Sequence, residues 1–244
     1  MNLNSIVKKL FLERTGSVVE MFIDCSRTVT NKMSAFKLKN EDGSYTTFEV
    51  EIKPFLTREQ TRPKFMNDVS FEINQITFQT VVGTYVDSPY HRHAGMNDIS
   101  KLQLDQLIGE AILINARGLQ DWEEFTPENL DVDVRDKIVL INFGWDKHFG
   151  TDQYLRYPFI SEKFIDFLVS KKPKMVGVDT VNIDSSKNLS RPAHTKLLKE
   201  EIIIVENLVN LESLENKIIR FYAVPAKFEK TASFPVRAFA EIVE

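Results

Sequence analysis

Two of the four histidines in this 244-residue chain lie within a few residues of a carboxylate, in Gly83-Thr84-Tyr85-Val86-Asp87-Ser88-Pro89-Tyr90-His91-Arg92-His93. An aspartate and an imidazole that converge supply the oxygen and nitrogen donors a divalent cation needs. Pro89 argues against a regular helix and favours an extended backbone before it. Even offsets along an extended chain share a side, so Asp87 and His91 are expected to project together, with His93 able to join them. A solvated surface loop is the alternative reading of the same residues. A second polar pair lies downstream: His194 opens HTKLLKEEIIIVENL, and Glu206 closes the apolar run Ile202–Val205. Ile202, Ile204 and Glu206 share a strand face, so a carboxylate ends a buried row. That is costly unless the group is paired, solvated or bound to metal. His148, in WDKHFG, has no such setting and reads as a surface histidine.

These residues need elements to position them. Segments 18–25, 45–52 and 69–82 carry the β-branched and aromatic content or alternation of strands, the last long or broken. Ser100–Ile108 reads as a helix that Ser100 can cap. Further strands are expected at 110–116, 136–143 (a near-continuous apolar run, as in a strand covered on both faces), 174–178, 201–206, 217–224 and 238–243. Helices are expected at 161–170 and 192–200, and a short amphipathic one at the start, ending at Gly16. Strands dominate with helices interspersed, which is a mixed α/β class with layered sheets. No repeat, low-complexity tract or linker divides the chain, so 1–244 is expected to form one domain, with 1–17 as a helical extension.

Composition excludes several function classes. A net charge of -4, with Lys171-Lys172-Pro173-Lys174 as the densest basic run, offers no footprint for nucleic acid. No apolar run approaches the roughly 18–20 residues a bilayer requires. The apolar stretch before Glu13 is too short for a signal-peptide core, so the expected compartment is the cytoplasm. The lone Cys25 cannot form an internal disulfide and reads as a small buried residue.

The stretch Val81–His91 resembles the motif H-x-G-T-H-x-D-x-P-x-H of the cyclase family of metal-dependent hydrolases, which includes bacterial kynurenine formamidases and isatin hydrolases. Gly83, Thr84, Asp87, Pro89 and His91 match; Val81 and Tyr85 stand where the family has its first two histidines. The likeness continues in FIDCSRTVTNKM (22–33), IVLINFGWD (138–146), VGVDT (176–180), HTKLLKEEIIIVENLVNL (194–211), FYAVPAKF and PVRAFA (235–240).

What the resemblance implies is a layered β/β/α domain of the swivelling type with mixed sheets, assembled as a homodimer or homotetramer. It also implies a ligand set reduced to Asp87, His91, His194 and Glu206. Valine has no donor atom, and tyrosine binds metal only as a phenolate, against a reference pKa near 10. The remaining donors suffice for one Zn²⁺ or Mn²⁺. The expected reaction is hydrolysis of an amide, formamide or lactam C–N bond in a small molecule, as in arylformamidases. A neighbouring carboxylate or His93 would move protons, His91 also counting among the catalytic residues, and Tyr85 would donate a hydrogen bond to the oxyanion. The alternative is a member without metal, either a cyclase or dehydratase using His91 or His194 as acid/base, or a non-catalytic small-molecule-binding protein.

Overall fold

A computed structural model describes residues 22–129 and 131–243. The helix expected at the start, and residues 18–21 of the first strand, lie outside them. Beginning with β1 (Phe22–Asp24), the chain next forms two hairpins. The first pairs β2 (Ser34–Lys39) with β3 (Tyr45–Glu49), and the second pairs β4 (Glu51–Leu56) with β5 (Ile73–Thr77), a short helix α1 (Arg58–Thr61) lying between its strands. The single strand expected over 45–52 is thus divided at Val50, which turns inward and is buried. The strand expected over 69–82 contracts to β5.

After these come β6 (Tyr85–Asp87), α2 (Leu104–Leu107), β7 (Ile108–Asn115), β8 (Glu124–Phe125), β9 (Ile138–Asn142) and β10 (Phe159–Ile160). The helix expected over Ser100–Ile108 is broken. Asp98, not Ser100, caps a 3-10 turn at Ile99–Lys101, and the extended Leu102 separates that turn from α2. The apolar positions there lack a steady 3.6-residue period, so packing decides the backbone. The helix expected from Ser161 forms as α3 (Glu162–Lys171), with Ser161 Oγ accepting the Phe164 amide. Then follow β11 (Met175–Val178), α4 (Pro192–Lys199), β12 (Ile203–Glu206), β13 (Ile219–Tyr222), β14 (Ser233–Pro235) and β15 (Phe239–Ile242).

Nine of these strands form one mixed sheet in the order β1-β15-β13-β7-β9-β11-β12-β6-β14. The centre, β7-β9-β11-β12, is parallel, and antiparallel strands flank it on both sides. The mixed α/β class with a mixed sheet is therefore as expected. Ile138–Asn142 is wholly buried, because both faces of β9 are covered. Ile138 and Leu140 enter the core on one face with Met175, Ile203, Val205 and Phe221; Val139 and Ile141 enter the other with Val176, Ile204 and the helix residues Phe164, Leu168 and Leu197. The first core joins residues from the middle of the sheet to residues from β13 and β15, as a sheet curled over its own face requires. Gly177 keeps it closed: a Cβ there would lie 2.7 Å from Leu208 Cδ1 and 2.9 Å from Leu140 Cδ2.

Candidate metal centre

Register places the polar residues. In the antiparallel trio β12-β6-β14, Ile204, Asp87 and Ser233 face one another across the strands, and Glu206, Tyr85 and Pro235 form the next row. Cross-strand partners share a face, so Tyr85, Asp87, Glu206 and Ser233 all lie on the side that carries Ile204. That side is covered by α3 and α4, and α4 delivers His194 from its first turn. Glu206 ends a parallel strand, where open α/β sheets present their binding residues.

His194 is oriented by a residue that sequence reasoning passed over. Asp184 accepts the backbone amides of Ala193 and His194 at 2.7 and 3.0 Å, and its Oδ2 lies 2.7 Å from His194 Nδ1. Its interactions with His194 hold it ionised against the opposing effect of burial. A carboxylate only accepts, so Nδ1 carries the proton and Nε2 faces the site. There Nε2 is 3.6 Å from Asp87 Oδ2 and 3.5 Å from Glu206 Oε1. Ser233, also unforeseen, donates to Asp87 Oδ1 and lies 3.0 Å from His91 Nδ1, so it ties the aspartate to the second imidazole. His91 Nδ1 itself is 3.7 Å from Asp87 Oδ1, and its side chain is 34% exposed, at the rim of an otherwise closed site. Asp87, His91 and His194 each offer a ligand atom, all within 4.8 Å of one another.

Glu206 stands beside this trio with both oxygens engaged. Oε1 accepts the Ile183 amide at 2.8 Å and Oε2 accepts the Tyr85 hydroxyl. The phenol expected to face an oxyanion is therefore directed at a carboxylate. Burial, reinforced by the charge of Glu206, keeps Tyr85 protonated far above the usual phenol range. His93 lies apart from the converging ligand atoms. Its Nε2 meets the Thr195 carbonyl at 2.9 Å, and neighbouring Arg92 bonds Thr195 Oγ1 and the Ser190 carbonyl. The reason is local: Ser88 is extended as expected, but Pro89 then begins a 3-10 turn, Pro89–His91, which ends the alternation before His93. Asp87 and His91 meet as i,i+4 neighbours across that turn. Cys25 is buried, as read from the sequence.

Charge binds the group together. Burial would raise Asp87, but His91 and His194 outweigh it and hold the carboxyl below its ordinary range. Burial would lower His194, yet Glu206, Asp184 and Asp87 together raise it to about 10. Burial dominates at Glu206 and pushes it up to about 7 against the pull of His194. One donor is left over: Asp87 Oδ2 is buried with no hydrogen-bond partner. An ionised oxygen in that state is expensive, and a cation between it and the two imidazoles would satisfy it. The donor set therefore fits a divalent metal.

The Cyclase family model matches residues 23–185, which include Asp87, His91 and Asp184. The chain belongs to the Cyclase family. Within reach of this cyclase-family chain is the kynurenine formamidase of Bordetella avium (strain 197N), 26% identical over 185 residues, 74% of this chain and 86% of that one. The kynurenine formamidase of Bacillus cytotoxicus is 23% identical over 223 residues, covering 89% and 95%. An isatin hydrolase structure bound to the product analogue thioisatinate superposes with a TM-score of 0.79 at 21% identity over the whole of both chains, which establishes the shared fold. A hydrolase of the arylformamidase-like class is what these relatives support. Among the described residues no helix is long and apolar enough to cross a membrane.

Proposed function

We propose that the chain hydrolyses the C–N bond of a small amide, formamide or lactam, with one Zn²⁺ or Mn²⁺ held by Asp87, His91 and His194. The observation that carries this is Asp87 Oδ2, buried between two oriented imidazoles with no hydrogen bond and with His194 Nε2 no nearer than 3.6 Å. A metal there would lower the pKa of a coordinated water and polarise the substrate carbonyl. The protein's own groups do the rest. Asp184 fixes the tautomer of His194, and Ser233 fixes Asp87 against His91. Glu206, raised to about 7 and 3.5 Å from His194 Nε2, is poised to take a proton from the attacking water and return it to the leaving nitrogen. Tyr85 holds the carboxylate for that role and stays protonated throughout. In this reading Glu206 is the proton carrier beside the metal and not a ligand to it.

Metal analysis of protein purified without chelator should find about one ion per chain. Less than about 0.1, with no thermal stabilisation by added Zn²⁺ or Mn²⁺, would overturn the reading. A screen of N-formyl aromatic amines, lactams and isatin-like ring amides should then identify turnover. If the metal is bound and none of these is hydrolysed, the non-catalytic alternative gains.

The same reading includes self-association as a homodimer, supported by the β4–α1–β5 arm. Its tip is ordered: Thr57 and Gln60 form a capping box, and the buried Thr61 hydroxyl donates to the Phe71 carbonyl while accepting its amide. Yet Phe55, Phe65, Met66, Val69, Ile73 and Ile76 all face solvent, Met66 being 84% exposed. At about 200 Å² for a side chain of this size that is roughly 700 Å² of apolar surface, close to what one partner of a standard interface buries. Sedimentation should show a dimer that Phe55→Asp with Ile76→Asp converts to monomer; a monomeric wild-type chain at micromolar concentration would refute it.

A further inference from the structure

Between Ser88 and Ile99 the chain leaves the sheet and returns to it. At the base of this excursion the amides of Ser88 and Ile99 donate to the carbonyls of Ala232 and Thr231, at 2.9 and 3.0 Å, just ahead of β14. The 3-10 turn Pro89–His91 opens it. Pro89 is buried, but Tyr90, His91, Arg92, Ala94 and Gly95 are exposed. A segment with so little apolar burial is drawn from the weakly held end of a fold. Yet it carries His91, whose imidazole must keep its place beside that of His194, the two ring centres being 5.7 Å apart.

What holds the excursion is α4. Arg92 donates from Nε to Thr195 Oγ1 at 3.1 Å and from Nη2 to the Ser190 carbonyl at 3.2 Å, and the Thr195 hydroxyl donates to that same carbonyl at 2.9 Å. His93 Nε2 lies 2.9 Å from the Thr195 carbonyl; a carbonyl only accepts, so Nε2 carries the proton. Beyond the far end of the helix, Asn97 Nδ2 donates to Glu201 Oε1 at 3.0 Å. Of these contacts the His93 bond is the best shielded, since His93 is half-buried and Arg92 is exposed. Lower local polarity strengthens such a bond. Position along the chain gives the contacts their consequence. Arg92 and His93 follow His91, and Thr195 follows His194, so both sides of the clasp lie one or two residues from an imidazole of the metal centre. Asp184 orients the His194 ring and Ser233 meets the His91 ring. The clasp ties the two elements that carry those rings directly to each other.

We infer that His93 is a positioning residue: through the Thr195 carbonyl it holds the His91 turn against α4 and so pre-sets the gap that a metal ion bridges. This rests on the single-metal reading for the ion but on the clasp alone for the positioning. Once released, a turn that is in place for about 1–10% of the time would weaken apparent metal affinity about 10- to 100-fold.

The test measures Zn²⁺ affinity by competition with a chromophoric chelator, and the visible absorption of Co²⁺ at the same site, in wild type, His93→Ala and His93→Gln. The glutamine amide can present a donor in place of Nε2. His93→Ala should raise the Kd about 10- to 100-fold and alter the Co²⁺ spectrum, whereas His93→Gln should return the Kd to within about threefold of wild type. A wild-type Kd and spectrum in His93→Ala overturns the inference. So does an equal loss in both variants, which a merely structural role for the side chain would give. If the wild type takes up neither ion, the metal reading fails and amide hydrogen exchange decides the clasp. The amides of Arg92 and His93 donate to the Pro89 carbonyl at 3.2 and 3.0 Å. In His93→Ala they should exchange about tenfold faster, while those of β9 stay as in wild type. Unchanged exchange in the turn overturns the clasp itself.

Discussion

The two ends of β6 treat their neighbours in opposite ways. At the Asp87 end, a carboxylate oxygen is left without a hydrogen bond between two imidazoles, each oriented by a further residue. At the Tyr85 end, two residues away, a phenol and a carboxylate satisfy one another and a backbone amide completes the set. The first arrangement fits a cation, whereas in the second both oxygens of Glu206 already have hydrogen-bond partners. Both derive from one motif, whose family form has histidines at positions 81 and 85. Exchanging one imidazole for a phenol does more than remove a ligand: it occupies Glu206, the acid that position 85 faces across the strands. On the proposed reading, what remains is a single metal position with a proton carrier beside it.

The sharpest way to break that contrast is to remove an imidazole from the open end. His194→Ala should reduce bound metal from about one per chain to below about 0.1 and abolish turnover. It should also destabilise the metal-free protein by roughly 3–5 kcal/mol, because Asp87, Asp184 and Glu206 lose the cation they share. Metal content by mass spectrometry and denaturant melts check both parts; retained metal would show that the ligand set is wrong. The sealed end can be opened instead. Val81→His combined with Tyr85→His frees Glu206 and supplies two imidazoles, so stoichiometry should rise from about one to about two ions per chain. A double variant that stays at one shows that the backbone has departed from the family at Val81.

The smallest expected effect is a pH slope. In chelated protein His194 is raised from 6.5 to about 10, so its stabilisation is complete below pH 6.5 and is lost as the pH climbs through about 10. The melting temperature of the metal-free form should therefore fall across that window. With metal saturating, the ion replaces the proton and the fall should disappear. Identical slopes with and without metal would mean that His194 does not face the ion.

Much of this site could be read before folding, and the unread part has a common cause. Asp87, His91, His194 and Glu206 stood out because ionisable groups next to apolar strands are conspicuous and their spacing matched a motif. Ser233 and Asp184 carry no such mark. Ser233 reaches Asp87 only through the register of β14 on β6, and Asp184 reaches His194 across a loop that bends back over the first turn of α4. His93 falls away from the side of Asp87 and His91 that alternation predicts for it, because the backbone coils at Pro89. The same limit governs the elements. β9 and α3 were legible because burial on both faces, or on one steady stripe, leaves an unbroken pattern. The break at Val50 and the divided helix at Leu102 follow from packing partners far away in the chain, which local spacing does not encode.

Cys25 gives the molecule an internal gauge. It is the chain's one cysteine, it has no exposed surface, and burial, aided by the charge of Asp24, pushes its thiol up to about 12. Its backbone is clamped on both sides, by the Ala238 carbonyl and the Val209 amide. Alkylating reagents can therefore find a thiolate only after the β1–β15 edge of the sheet has opened. Since the thiol is not itself part of the metal centre, its rate of labelling times the opening of this edge, and metal that stabilises the fold should slow it.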